Sequence, residues 1–320
     1  MPFFTRGIST LPGITGLSLS ADGVGLAHVV RQKEAPPVLK ACEFLRNGDA
    51  REQAKAVQEL VRGHGLIHGR SVGVMDLGSY NLLQVEPPDV PEAEIKDALR
   101  WQIKDLIDFP LDQAVIDFFR APTQARRGQA NVAYVVAARQ TQVRRSAEMM
   151  RDAKMKITAI DIPEFALRNL VSLLPEDPQG VAFLYLTPSS GLITVTRNSL
   201  LFLARDINIG ATELHRAAGE GVGNDAADMP SEFQDLLESI VLEVQRSLDY
   251  YESNFAQAPI GSLVIAPTDP EIPGLFPFLQ SYLGPRVKRL DLGALLEGAD
   301  LSPELQARCL TAIGAALRTE

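Results

Sequence analysis

The chain has 320 residues, of which 46% are hydrophobic and 22% are charged, and its formal net charge is −9. This length is enough for two ordinary domains with full cores, and the composition is typical of a soluble globular protein. The negative charge argues against broad attraction to nucleic acid or anionic lipid. No apolar run approaches the roughly 18 residues of a membrane-spanning helix, and no signal-peptide pattern opens the chain. We expect Cys42 and Cys309 to be buried and reduced. These features together predict a cytoplasmic protein.

The first 85 residues predict a small α/β domain. Alternating apolar residues bounded by turn residues predict strands at 14–20, 25–32, 38–44, 71–76 and 81–85. The first two of these strands form a hairpin. A helix is expected to open at Asp49 or Ala50 and to end near Gly63.

A change in composition at residues 86–91, EPPDVP, predicts a crossover into an inserted subdomain that ends near residue 162. Its helix is expected at 91–107, with a buried stripe of Ile95, Leu99, Ile103 and Leu106. Trp101, the only tryptophan, points away from that stripe, and it either packs on a neighbouring loop or contacts a partner. The other expected elements are strands at 114–120, 131–138 and 157–162, a polar loop at 122–129 and a helix at 139–153.

Residues 163–179 are expected to return to the first domain, and residues 180–320 form the second. The second domain opens with three short strands within 180–209, followed by a helix that starts at Gly210 and an acidic loop at 224–230. The longest helix starts at Ser231, which is spaced from Gln234 as in a capping box. A strand at 262–266, a helix ending near 283 and a strand at 286–290 follow. Ser302 then caps a final helix.

A hairpin pattern occurs twice in the chain. Residues 16–29 repeat the first half of 180–209, and the turn at 21–23 stands where the turn at 188–191 stands. Such a repeat indicates two related halves that face each other. This organisation is typical of actin-like nucleotide-binding folds, in which the two turns enclose the phosphates of a nucleotide. The sequence therefore predicts an α/β, two-domain, actin-like fold (ribonuclease H-like) with an inserted subdomain.

A magnesium–triphosphate requires turn amides and small hydroxyls around its phosphates and a carboxylate that holds the metal. Small and polar residues could supply the first requirement: Ser20, Asp22, Gly23, Ser189, Ser190, Gly210 and Gly274. The second requirement is poorly met, because the strand positions that lead into the turns hold Ser18 and Tyr185 instead of acids. If nucleotide binds, Asp22 or Asp206 would lie near the magnesium.

Several stretches resemble one protein family. They are WQIKDLIDFPLDQAVIDF at 101–118, the stretch at 132–167, LFLARDINIGATEL at 201–214, RSLDYYES at 246–253 and AIGAALR at 312–318. These stretches resemble the PilM/MshI group, cytoplasmic actin-like proteins of bacterial type IV pilus assembly that are related to the cell-division protein FtsA. The similarity extends over nearly the whole chain. The resemblance implies an actin-like fold with an FtsA-like inserted subdomain.

Four nucleotide-binding features of that family are lost or weakened in this sequence. The family's Asp-Ile-Gly-Ser loop is replaced by other residues at 18–21, and its Asp-x-Gly is replaced at 185–187. The Gly-Gly that precedes Pro-Gly-Leu in the family is replaced at 266–267, and Ala211 stands in place of the second glycine of Ile-Gly-Gly. Loss of both carboxylates removes the anchors of the metal on which phosphoryl chemistry depends. MshI of the mannose-sensitive haemagglutinin (MSHA) pilus resembles this sequence in having a similarly degenerate site. Within the group, we therefore expect MshI to be the closer relative of this chain.

The resemblance implies a partner: a PilN-type inner-membrane protein whose cytoplasmic N-terminal tail lies between the first domain and the inserted subdomain. An extended tail could add main-chain hydrogen bonds and place apolar side chains in pockets. The candidate wall residues are Leu82, Leu83, Trp101, Ile107 and Phe109, each of which could equally be ordinary core. The protein would then be attached to the inner face of the inner membrane only through this partner.

Two functions remain open from the sequence. The first is a scaffold of the pilus assembly platform with a degenerate nucleotide site, no catalytic or metal-binding residues and no resident cofactor. The alternative is an ATP-binding switch or slow ATPase that uses ATP and magnesium. The spacing of His64 and His68, four residues apart, does not predict a metal site. The glycines around them break a helix, and no third metal ligand accompanies them.

Overall fold

The structure is a computed structural model, and it describes residues 11–122, 132–219 and 229–319. Most of the predicted polar loop at 122–129 and of the acidic loop at 224–230 lies outside the described residues. Among the described residues, no helix combines the length and the apolar character needed to cross a bilayer.

Two five-stranded sheets share one strand order. The first sheet has the order β3-β2-β1-β4-β8, with β1 (Ile14–Ser20), β2 (Gly23–Val30), β3 (Val38–Arg46), β4 (Arg70–Val74) and β8 (Lys156–Asp161). The second has the order β11-β10-β9-β12-β13, with β9 (Val181–Leu186), β10 (Gly191–Arg197), β11 (Leu200–Ile207), β12 (Ser262–Ile265) and β13 (Arg286–Arg289). In the first sheet, β1 pairs antiparallel with β2 and parallel with β4. In the second sheet, β9 pairs in the same way with β10 and β12. The predicted repeat of two related halves is confirmed.

A third, three-stranded sheet has the order β5-β7-β6, with β5 (Tyr80–Val85), β6 (Ala114–Arg120) and β7 (Ala133–Arg139). Helix α2 (Glu92–Gln102) packs on one face of it. Two strands differ from expectation: β5 was expected in the first domain but pairs with β7, and β8 was expected in the inserted subdomain but pairs with β4. Strand membership depends on pairing between distant residues, which the change in composition at 86–91 does not report.

The remaining helices are α1 (Ala50–Gly63), α3 (Gln140–Asp152), α4 (Pro163–Val171), α5 (Ala211–Ala218), α6 (Ser231–Phe255), α7 (Leu275–Tyr282), α8 (Leu292–Leu295), α9 (Pro303–Arg308) and α10 (Leu310–Ala316). Asp49 and Ser302 cap α1 and α9 by accepting hydrogen bonds from main-chain amides, so the start of α1 and the cap at Ser302 are as predicted. The predicted capping box at Ser231 is wrong. Ser231 is already helical, Pro230 holds the cap position, and the Gln234 amide donates to Glu238 instead.

Helix α2 is shorter than the periodicity predicts. It ends at Gln102, and the chain then turns so that Leu106 is 56% exposed instead of completing the buried stripe. Trp101 is 68% exposed, so it does not pack on a neighbouring loop. Of the two cysteines, Cys309 is buried as expected, whereas Cys42 is only half-buried, and both are free thiols.

Helices α4 and α10 cross between the two large sheets. Residues of both helices share one apolar core with residues of both sheets, among them Val29 of β2 and Phe183 of β9. The contact is close enough to exclude side chains: a Cβ on Gly314 of α10 would lie 2.1 Å from the carbonyl oxygen of Ala166 in α4. The Asn169 amide also donates to the Gly314 carbonyl oxygen at 2.9 Å. This crossing fixes the separation of the two halves.

Gly314→Ala is expected to lower the free energy of unfolding by about 1–3 kcal/mol, because the added methyl group must displace the backbone of α4. Chemical denaturation measures the change. Gly63→Ala is the matched control, since no atom lies within 4 Å of its added Cβ and alanine favours helix. Equal unfolding midpoints for the two variants would show that the helices do not pack this closely.

Candidate functional site

The two hairpin turns face each other across a cleft at the carboxyl ends of β1, β4 and β9. Its cavity has a volume of about 120 Å³. Ser20, Asp22 and Asp76 line it from the first half, and Tyr185, Thr187 and Pro267 are among the residues that line it from the second. Small-molecule pockets usually measure about 300–1,000 Å³, so this cavity is too small for a nucleotide in the arrangement that the structure shows.

An ion pair occupies the first-half side of the cleft. The Arg308 guanidinium contacts one oxygen of Asp22, and the Ser20 hydroxyl donates to the other at 2.7 Å. Arg308 also lies over the Phe44 ring at 5.0 Å, and its side chain is only 18% exposed. Burial disfavours the charged form of Asp22, but the hydrogen bonds from Ser20 and Arg308 outweigh it and lower the pKa of Asp22. The carboxylate predicted to lie near a metal is therefore already neutralised by a protein cation.

The second turn is closed by its own hydrogen bonds. The Ser190 amide donates to the Thr187 hydroxyl oxygen at 3.0 Å, and the Thr187 hydroxyl group donates to the Ser190 carbonyl oxygen. At the start of α5, the amides of Ala211 and Thr212 donate to the carbonyl oxygens of Thr187 and Pro188 at 2.8 and 3.0 Å. A helix N-terminus binds phosphate through unpaired amides, and these two amides are already paired.

The other sequence-predicted nucleotide residues do not line this cavity. Gly23 packs against the Phe44 ring, Gly210 lies against the backbone of Pro188 and Ser189, and Ser189 itself is exposed. Gly274, at φ +73°, opens α7 beside Met229. Close packing therefore accounts for these glycines. Of the seven candidates, Ser20 and Asp22 lie at the cleft.

Sequence reasoning missed three charged residues of the cleft: Asp76, Asp269 and Arg308. Asp76 could have been found, because it follows β4, and the carboxyl ends of the parallel strands β1 and β4 meet at one edge of the sheet. Partial burial, with the nearby charge of Asp22, raises the pKa of Asp76 to about 6. Nothing in the sequence around Arg308 indicates that it lies in the cleft, since Asp22 is 286 residues away along the chain.

Acidic side chains do not gather into a metal site in the described part of the chain, where no group of three or more His, Cys, Asp or Glu residues could hold an ion. Asp206, the second candidate for a place near magnesium, does not line the cleft. Its charge acts instead on Tyr80 and Glu164, at the base of the small sheet.

The family described as "Type IV pilus assembly protein PilM" matches residues 85–320, which is nearly three quarters of the chain. The chain belongs to the PilM family. No curated protein sequence is significantly similar to it.

Among solved structures, the "PilM-PilN type IV pilus biogenesis complex" is similar to this PilM-family chain with a TM-score of 0.73 and 20% identity, over 95% of this chain and 98% of that one. The cytoplasmic domain of EpsL from Vibrio cholerae, an inner membrane component of the type II secretion system, follows with a TM-score of 0.50, 9% identity and coverage of 96% of each chain. A Bacteroides thetaiotaomicron protein described as having an actin-like ATPase fold gives 0.51, 9% identity and coverage of 95% and 98%. The predicted actin-like fold is confirmed.

The five candidate partner-binding residues of this PilM-family protein do not form one wall. Leu83, Ile107 and Phe109 pack in the core between the small sheet and α2, and Arg139 lies over the Phe109 ring at 4.5 Å. Leu82 faces the opposite side of the sheet, toward the core of the second half. Trp101 is exposed, Phe109 is buried, and the other three are half-buried.

A cavity of about 350 Å³ lies between α1, α3 and the ends of β1 and β4. Leu19, Met75 and Met149 supply apolar lining, and Gln53, Gln142 and Arg145 supply polar groups. Arg145 donates to the Gln53 side-chain oxygen at 2.7 Å, and the Gln53 amide donates to the Ser20 carbonyl oxygen at 2.7 Å. The cavity therefore combines an apolar lining with held amide and guanidinium groups, and its size is in the range of ligand pockets.

A buried carboxyl group lies at the base of the small sheet. Glu164 in the first turn of α4 is fully buried, and the Tyr80 hydroxyl group donates to one of its oxygens at 2.6 Å. Its other oxygen has no partner among the described residues. Burial raises the pKa of Glu164 to about 7, against the hydrogen bond from Tyr80.

Glu164→Gln is expected to remove a pH dependence of stability. Because the folded pKa lies above the ordinary value of 4.5, the folded state keeps a proton that the unfolded chain releases between pH 4.5 and 7. Stability of the wild type therefore falls as pH rises through this window, by on the order of 3 kcal/mol. Denaturant unfolding at pH 5 and pH 8 tests this, with the exposed Glu148→Gln as control. The raised pKa of Asp76 leaves a smaller fall of the same sign in every variant, so a difference as large in Glu164→Gln as in the wild type would contradict the assignment.

Proposed function

We propose that this PilM-family protein is a non-hydrolysing scaffold of type IV pilus assembly, of the MSHA type. Its cleft keeps the shape of a nucleotide clamp but is held by its own residues. The observation that carries this proposal is the Arg308 guanidinium paired with Asp22 inside the cleft. A guanidinium is permanently charged, so it repels a divalent cation at the place where the metal of a magnesium–triphosphate would lie.

The partner in this proposal is the N-terminal cytoplasmic tail of a PilN-type inner-membrane protein. A solved PilM–PilN complex has the same fold as this chain. The protein would work in the cytoplasm, at the inner face of the inner membrane, attached through that partner.

The cavity between α1 and α3 suits an extended tail. An extended peptide presents unpaired main-chain amides and carbonyl groups and places alternate side chains in pockets. The Gln53, Gln142 and Arg145 side chains offer partners for such groups, and Leu19 and Met149 offer apolar contact. In this proposal the α1–α3 cavity takes the place of Leu82, Leu83, Ile107 and Phe109 as the tail-binding surface. The surface around the exposed Trp101 is the alternative binding site.

The alternative function is an ATP-binding switch, and one observation favours it. A second cavity of about 460 Å³ adjoins the cleft and shares Pro267, Thr268 and Asp269 with it. This second cavity is by itself within the size range of small-molecule sites, and if Arg308 left Asp22 the cleft would add room for a magnesium–triphosphate beside it. The switch therefore requires that the Asp22–Arg308 pair opens.

Magnesium–ATP at millimolar concentration is expected to leave the melting temperature within about 1 °C of the free protein. A bound ligand at ~100 times its dissociation constant would stabilise the fold by about 2.7 kcal/mol, which shifts the melting temperature by several degrees. Differential scanning fluorimetry measures this. A rise of several degrees that disappears in Asp22→Asn, which removes the carboxylate paired with Arg308, would establish the switch and end the scaffold proposal.

Ser146→Trp is expected to weaken binding of the partner's tail peptide by more than about tenfold, because the half-buried Ser146 lines the α1–α3 cavity and an indole would fill it. Fluorescence anisotropy with a labelled tail peptide measures the affinity. Trp101→Ala removes the exposed indole of the rival site and is expected to change the affinity little. Loss of binding in Trp101→Ala with wild-type affinity in Ser146→Trp would move the tail to the end of α2.

A further inference from the structure

A cavity of about 260 Å³ lies at the amino-terminal edge of the first sheet, opposite the cleft. It is formed by the start of β1, the end of β2, the start of β4 and the chain that leaves α10. Three arginines line it: Arg31, Arg70 and Arg318. Neither the nucleotide cleft nor the α1–α3 cavity shares a lining residue with it.

Two of the three guanidinium groups are held in place. Arg31 donates through Nε and one Nη nitrogen to the carbonyl oxygen of Leu317, at the end of α10. Arg318 forms an ion pair with Asp161, whose side chain is only 6% exposed. Arg70 is exposed and has no hydrogen bond or ion pair with any residue that the structure describes. The cavity therefore contains one unpaired guanidinium beside two that are fixed in position.

Positive charge exceeds negative charge around this cavity. Lys156 lies directly opposite Arg70 on β8, and Arg168 acts on the same carboxylate as Arg318. Within the described part of the chain, Asp161 is the one carboxylate in an ion pair with the lining arginines. Such a local excess of cations contrasts with the formal net charge of −9. Like charges that line one cavity repel one another, so an anion that binds among them is favoured.

We propose that this three-arginine cavity binds a phosphate-bearing anion. Planar guanidinium groups match the geometry of phosphate oxygens and donate to them in pairs. A volume of about 260 Å³ corresponds to roughly nine water molecules at the liquid share of about 30 Å³ each, which leaves room for a phosphate group. The phosphate could belong to a soluble anion or to the headgroup of an anionic phospholipid, since the cavity opens at the surface.

The test uses the full chain and two probes. Inorganic phosphate is titrated by scanning fluorimetry against sodium chloride of equal ionic strength, and vesicles of phosphatidylcholine with and without phosphatidylglycerol are tested by co-sedimentation. Arg70→Gln removes the unpaired guanidinium at an exposed position and is expected to weaken binding about tenfold. Arg144→Gln, an exposed arginine on α3, is the matched control and is expected to bind as the wild type does.

Each outcome decides the proposal. Stabilisation by phosphate beyond that by chloride, lost in Arg70→Gln alone, assigns the cavity to a soluble anion. Sedimentation that requires phosphatidylglycerol, again lost in Arg70→Gln alone, assigns it to a lipid headgroup. Binding of neither probe by the wild type, or equal effects of Arg70→Gln and Arg144→Gln, overturns the proposal. None of these outcomes depends on whether a tail peptide binds in the α1–α3 cavity.

Discussion

The rest of the structure depends on the close approach of α10 to its neighbours. Two glycines allow it: a Cβ on Gly16 of β1 would lie 1.8 Å from the carbonyl oxygen of Ala312, and a Cβ on Gly314 would meet Ala166 of α4. Backbones in direct contact leave little freedom for the two sheets to separate. Because Arg308 lies two residues before α10 begins, this packing also carries its guanidinium into the cleft.

The cleft lies outside the apolar cores that stabilise the fold. The strands and the crossing helices bury continuous apolar cores, and the cleft contributes polar groups that lie at their edge. A fold can therefore keep its shape while its site changes. The Asp22–Arg308 pair and the paired amides at the start of α5 satisfy groups that a bound triphosphate would otherwise satisfy. In the proposed scaffold, these contacts would take the place of a bound nucleotide.

The sequence could predict features that depend on neighbours along the chain. The hairpin repeat, the place of α1 and the cap at Ser302 all follow from local periodicity and turn residues. The assignments of β5 and β8 failed because their partners lie far away in sequence. Leu106 was wrongly assigned to the buried stripe, because apolar residues keep helical spacing in the sequence after the helix itself has ended. The position of Arg308 in the cleft could not be predicted, since only folding brings it to Asp22.

The central claim is that side chains of the protein occupy the place of a nucleotide. Crystals of the full chain grown with magnesium–ATP test it most directly. The account predicts that Arg308 remains on Asp22 and that no nucleotide density appears between the two hairpin turns. Ordered ATP and magnesium in the cleft, with the Arg308 side chain displaced from Asp22, would contradict it.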